Sequence, residues 1–200
     1  NAVANNNSVT INGGTLSNVT IEGAEGELGS ADSKSVTING GTISGTGNTI
    51  DGALGVTQST NNSVTINNGT ISNIIIEGAE SSTASATGNT VTINNGTISN
   101  GTIYGANGNT QASDNTVTIN GGTISSDIYG GYSISSDQVT DNVVIINPSN
   151  DLNISDAALY GSNVTNDHDS SGNQLGFSVF NNTNVKRAGA CGICLLQSKN

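Results

Sequence analysis

A ten-residue phrase, Ser8-Val9-Thr10-Ile11-Asn12-Gly13-Gly14-Thr15-Leu16-Ser17, constrains this chain more than any other feature. It returns, little changed, at Ser35, Ser63, Thr90 and Thr116, at intervals of 27, 28, 27 and 26 residues. A degraded sixth copy begins near residue 143 and includes Val144-Ile145-Ile146-Asn147-Pro148, and a faint seventh surrounds Leu175. Self-similarity at such a period marks a solenoid, in which each copy is one supersecondary unit that buries its apolar face only against its neighbours.

Each copy reads as strand. Val9-Thr10-Ile11 alternates apolar, polar, apolar, which turns Val and Ile inward and Thr outward. Asn12-Gly13-Gly14 follows as a corner of residues that accept unusual φ. Thr15-Leu16-Ser17 and Val19-Thr20-Ile21 are two further short strands, and a loop of about ten residues leads back to the next copy. The expectation is an all-β, right-handed parallel β-helix of about seven coils with three short strands per coil. Coils start near 8, 35, 63, 90, 116 and 143 within a repeat region at 1–175. Residues 176–200 then form a last coil and a terminal capping or linking segment. A β-propeller is a poor rival, because its blades need about 40 residues and four strands.

Composition fits. Among 200 residues there are 27 Gly, one Pro, no Trp, and only 3% aromatic and 10% charged residues. A conventional two-layer core lacks its bulky side chains here, whereas stacked Val, Ile and Leu need none. The net charge of −11 disfavours nucleic acid and anionic membrane surfaces as partners. No apolar run of about 18 residues is present to cross a bilayer as a helix.

Stacking turns each repeat position into a column with neighbours about 4.8 Å apart. Val9, Val36, Val64, Val91, Val117 and Val144 form one inward column, and Ile11, Ile38, Ile66, Ile93, Ile119 and Ile146 another. Asn12, Asn39, Asn67, Asn94, Asn120 and Asn147 stand at the first corner, where stacked amides bond along the axis. The outward threonines Thr10, Thr37, Thr65, Thr92 and Thr118 make a single file on a solvated face.

The phrase from Asn115 to Ser125, followed by Ile128-Tyr129-Gly130-Gly131-Tyr132-Ser133, resembles the passenger repeats of bacterial autotransporters and related surface adhesins, over about residues 7–185. The resemblance implies a secreted or bacterial cell-surface β-solenoid, structural or adhesive and not an enzyme. Its partner would be a host surface protein or glycan, or further copies of itself. In the oxidising exterior that it implies, Cys191 and Cys194 would form a local disulfide. A self-assembling extracellular fibre is an alternative, since an uncapped solenoid offers open strand edges at both ends.

The column just before the loop glycine carries the site candidates. It runs Glu22, Asp51, Glu77, Tyr104, Tyr129, Tyr160, and alternation from the neighbouring isoleucines points it outward. Its tyrosines, with Tyr132, form a ladder suited to glycan or protein contact, or one that stiffens the wall by self-stacking. The acids Glu22, Asp51 and Glu77 have three readings. Solvent screens their repulsion; Ca²⁺ bridges them, helped by Glu25, Glu27 and Glu80; or they cleave a polysaccharide as paired carboxylates. No calcium repeat motif accompanies them, and no cofactor is otherwise expected. His168, in Asn166-Asp167-His168-Asp169, reads as a solvated loop histidine.

Overall fold

The repeated Val-Thr-Ile alternation builds a wall of parallel strands. The computed structural model describes residues 4–26, 29–133, 138–147, 152–154, 156–164 and 174–177. Ser8–Ile11, Ser35–Ile38, Ser63–Ile66, Thr90–Ile93, Thr116–Ile119, Val143–Ile146 and Gln174–Phe177 pair in that order into a seven-stranded sheet. The register is the repeat itself: Val36 pairs with Val64, Val64 with Val91 and Val91 with Val117. The degraded copies stay in step, with Val117 against Val144 and Val144 against Leu175.

The turn that begins at Ser63 shows the plan. After Ser63–Ile66 the chain makes three segments, Thr70–Ser72, Ile74–Glu77 and Glu80–Ser81, which belong to one bent thirteen-stranded sheet. Ser85–Thr87 then lies in a third, six-stranded sheet. A turn therefore holds five strand segments, not three. The two added ones occupy the stretch read as a loop, because their inward positions are Gly, Ser and Ala. Ala31, Ser59, Ala86 and Ala112 are buried there without the β-branched residues that betray a strand.

The chain makes about five complete turns, rather than about seven coils. Beyond Val143 the walls continue as Val143–Ile146, Leu159–Val164 and Gln174–Phe177, but among the described residues no third-wall strand follows Gln138–Thr140. The repeat itself changes there: Pro148 follows Asn147 in the sequence where earlier copies have Gly or Asn, and Asn153-Ile154 stands in place of Thr-Ile, with Asn153 bridged to Thr123 and Ile154 buried in the core.

Inside, Val36, Ile38, Ile43, Ile50 and their counterparts on each rung form one continuous apolar column set. Each fully buried Val or Ile stabilises the fold by about 1.5–3 kcal/mol relative to exposure. Two asparagine ladders finish the corners. The exposed one is as anticipated: Asn39 donates to Asn12, Asn67 to Asn39, Asn94 to Asn67, Asn120 to Asn94 and Asn147 to Asn120, at 2.7–2.9 Å. The second is buried, between the third and first walls. Asn62 donates to the Asn89 side-chain oxygen, Asn89 to Asn115 and Asn115 to Asn142. Each of these oxygens also accepts the backbone N–H of the residue on the preceding rung. Lys34 takes the place of asparagine in this column, is 1% exposed, and donates from Nζ to the Asp32 carbonyl at 2.5 Å.

Candidate functional site

The bent sheet folds sharply after Glu22, Asp51, Glu77, Tyr104 and Tyr129. A four-residue phrase makes the bend: Glu22-Gly23-Ala24-Glu25, Asp51-Gly52-Ala53-Leu54, Glu77-Gly78-Ala79-Glu80 and Tyr104-Gly105-Ala106-Asn107, with Tyr129-Gly130-Gly131-Tyr132 on the next rung. The first glycine is required by packing. A Cβ on Gly78 would lie 2.2 Å from the Gly105 carbonyl oxygen, and one on Gly105 would lie 2.1 Å from that of Gly130. Only a residue without Cβ lets the rungs stack this closely at the bend.

The bend makes the outer surface concave, so two columns of outward side chains converge across it. The first is aligned as the repeat demands: Glu22 beside Asp51, Asp51 beside Glu77, Glu77 beside Tyr104, Tyr104 beside Tyr129 and Tyr129 beside Tyr160. The second runs Glu25, Leu54, Glu80, Asn107 and Tyr132.

The lower rungs are acidic. The solvent-screened reading of this column requires correction for Asp51 and Glu77, which are only 2% and 3% exposed although alternation turns them away from the core. The reason is the concave corner, since the segments Leu54–Gly55, Glu80–Ser81 and Asn107–Gly108 stand across the bend from them. Asp51, Glu77 and Glu80 bring carboxylate oxygens within 4.8 Å of one another. Asp51 Oδ1 and Glu77 Oε2 are buried with no hydrogen-bond partner. Burial pushes the Asp51 carboxyl well above the usual range, and the Glu80 and Glu22 charges push it further. Burial does the same to Glu77, reinforced by Asp51 and Glu80 and opposed by a side-chain hydrogen bond from Asn107. Glu80 is raised by burial, and Glu22 by burial and then by Glu25 and Glu80.

The upper rungs are aromatic. Tyr104 and Tyr129 stack with ring centroids 5.3 Å apart, and Tyr129 and Tyr160 at 4.6 Å with planes 6° apart. Tyr132 crosses from the second column to meet Tyr104 at 4.9 Å. These are all four tyrosines of the chain, and each is half-buried. Burial, then the Glu77 charge, raises the Tyr104 phenol above its ordinary value.

No family model, curated protein or solved structure matches this chain. The corner must therefore be read from its own chemistry. The acidic half offers hard oxygen ligands without nitrogen or sulfur, and the aromatic half offers stacked ring surface.

Other candidates fall elsewhere. The threonine file Thr37, Thr65, Thr92 and Thr118 is half-buried on the first wall, away from the corner. His168, Cys191, Cys194 and Glu27 lie outside the described residues. Among the described residues no helix is long and apolar enough to cross a membrane. The structure draws Glu80 into the acidic cluster in preference to Glu22. The signal for that is the three-residue spacing across Gly-Ala, which places Glu77 and Glu80 on opposite sides of one bend.

Proposed function

We propose that this chain is a non-enzymatic, surface-displayed β-solenoid of the autotransporter-passenger kind, which contacts neutral glycans through the tyrosines of its bent corner. The observation that carries the reading is convergence: a chain with four tyrosines and no tryptophan gathers all four into one half-buried stack. Ring faces held by their neighbours lose little entropy on binding and give broad contact to the apolar faces of sugars. The acids below the stack and the net charge of −11 favour neutral over acidic glycans. Secretion and adhesion follow from the likeness of the repeat to passenger repeats.

Hydrolysis is the weaker reading. Paired carboxylates must touch the scissile bond, and the burial of Asp51 and Glu77 keeps a polymer from their oxygens. The test is binding to an array of neutral and acidic glycans and to host-cell surface protein, beside Tyr129→Ala and Tyr132→Ala. Loss of neutral-glycan binding in both variants, with unchanged circular dichroism, supports the reading. Full binding by both variants, or binding only to a protein, would overturn it.

A further inference from the structure

We infer that Asp51, Glu77 and Glu80 form a binding site for a hard divalent cation, with Ca²⁺ as the best fit. The site is separate from the tyrosine contact surface and stands or falls independently of it.

Geometry comes first. The three carboxylates reach one point from two adjacent rungs and from both sides of the bend: Asp51 from one turn, Glu77 and Glu80 from the next. Their oxygens lie within 4.8 Å of one another. A Ca²⁺ ion holding oxygens at 2.3–2.6 Å spans ligand pairs up to about 4.6–5.2 Å apart, so the cluster needs little movement to close on it.

The second observation is independent of clustering. Asp51 Oδ1 and Glu77 Oε2 are buried without a hydrogen-bond partner, on side chains 2% and 3% exposed. A buried polar atom without a partner is destabilising by about 1–3 kcal/mol, and more when charged, so two of them on carboxylates clustered with a third is an arrangement that the described protein groups leave unsatisfied. Among the described residues no basic side chain answers them. Lys34, the one basic residue among those described, directs its ammonium to the Asp32 carbonyl. A cation converts the mutual repulsion into attraction and gives both orphan oxygens a partner.

The donor set selects the ion. Carboxylate oxygens without His or Cys disfavour zinc and copper. Mg²⁺ keeps several waters and an octahedral shell, which suits a buried corner less than the flexible coordination of Ca²⁺ does. Glu22 and Glu25 sit one rung below Asp51, half-buried and exposed respectively, and their charge draws cations toward the corner. Bound there, the ion would clip two successive turns together at the bend.

The experiment uses the full chain, stripped with chelator. Tb³⁺ is the first probe, because all four tyrosines lie at this corner and Tyr104 is the rung neighbour of Glu77. Excitation at the tyrosine absorption should give saturable Tb³⁺ emission that Ca²⁺ displaces and Mg²⁺ displaces less well. In parallel, Ca²⁺ at 100 times its Kd should raise the melting temperature by on the order of 5 °C. Glu80→Gln, at a half-buried position, should keep the wild-type circular dichroism spectrum and weaken Ca²⁺ binding at least about tenfold, a 1.4 kcal/mol loss. Asp51→Asn should weaken it at least as much. No melting shift in wild type at about 10 mM Ca²⁺, well above the weakest extracellular calcium modules, overturns the site. So does a folded Glu80→Gln that binds Ca²⁺ as tightly as wild type.

Discussion

The acidic and aromatic halves of the bent corner share one backbone and differ in almost everything else. Each rung uses the same Gly-centred bend, and in both halves the glycine's missing Cβ leaves room for the next rung's carbonyl. On the upper rungs the outward groups satisfy each other: rings 4.6–5.3 Å apart gain about 0.5–1.5 kcal/mol per pair beyond their burial. On the lower rungs they do not, and Asp51 and Glu77 are left buried beside further carboxylates with oxygens unmet. The core columns and the backbone ladder hold the solenoid whatever stands outside. The outer column is therefore free to change chemistry rung by rung, and an unsatisfied stretch of it points to a missing partner, not to a packing need.

The largest effect should fall on what the halves share. Gly78→Ala forces a Cβ to 2.2 Å from the Gly105 carbonyl, and Gly130→Ala to 2.4 Å from that of Gly161. Each should destabilise by about 3 kcal/mol, read by thermal unfolding. If one half tolerates the change and the other does not, the shared-backbone premise is wrong. Next in size is Tyr129→Ala, which removes the ring touching both Tyr104 and Tyr160. A loss of about 2 kcal/mol is expected, below a full-core aromatic deletion because the ring is half-buried. A stability equal to wild type would mean that the stack adds nothing to the wall.

The contrast between halves was partly legible in the residues. Columns of Val, Ile and exposed Asn repeat almost without change, and a repeat of strand alternation has one economical stacking. Register followed from the period, down to Leu175 beneath Val144. Three things were hidden. The third wall uses Ala31, Ser59, Ala86 and Ala112 inward, and small residues carry no strand signature. The buried asparagine ladder lies in the Asn62-Ser63, Asn89-Thr90 and Asn115-Thr116 steps, where its polar residues look like a solvated loop. The concavity of the corner depends on how far backbone bends at Gly-Ala, which alternation does not encode. That angle is why Asp51 and Glu77, outward by parity, are nonetheless buried.

A smaller effect tests the acidic half alone. In chelator, Asp51 and Glu77 have folded-state pKa values raised above those of the unfolded chain, through burial first, then through Glu80 and Glu22 at Asp51 and through Asp51 and Glu80 at Glu77. Their contribution to stability is full below the unfolded carboxyl range, near 4, and is lost as pH rises through the raised values. The chelated protein should therefore melt lower at about pH 8 than at about pH 5, the reverse of ordinary acid denaturation. Saturating Ca²⁺ should flatten that slope. Glu77→Gln should flatten it without the ion, and gain about 1 kcal/mol at pH 8, because an amide replaces a buried charge beside like charges. A chelated wild type whose stability climbs between these pH values would falsify the account of the lower rungs.

The smallest effect lies at the seam, where Glu77 and Tyr104 are rung neighbours. The Tyr104 phenol is raised mainly by burial and secondarily by the Glu77 carboxylate. An alkaline absorbance titration of the folded protein should thus contain a tyrosine component above the ordinary phenol value of about 10. Tyr104→Phe should delete that component while leaving the stack and the melting temperature nearly unchanged, since the ring remains. Glu77→Gln should move it down slightly, because burial, the larger cause, stays in place and one neighbouring charge is removed. If the component survives Tyr104→Phe, it belongs to another tyrosine. If it is unmoved by Glu77→Gln, the two halves do not feel each other electrostatically, and the corner is two separate surfaces that happen to share a bend.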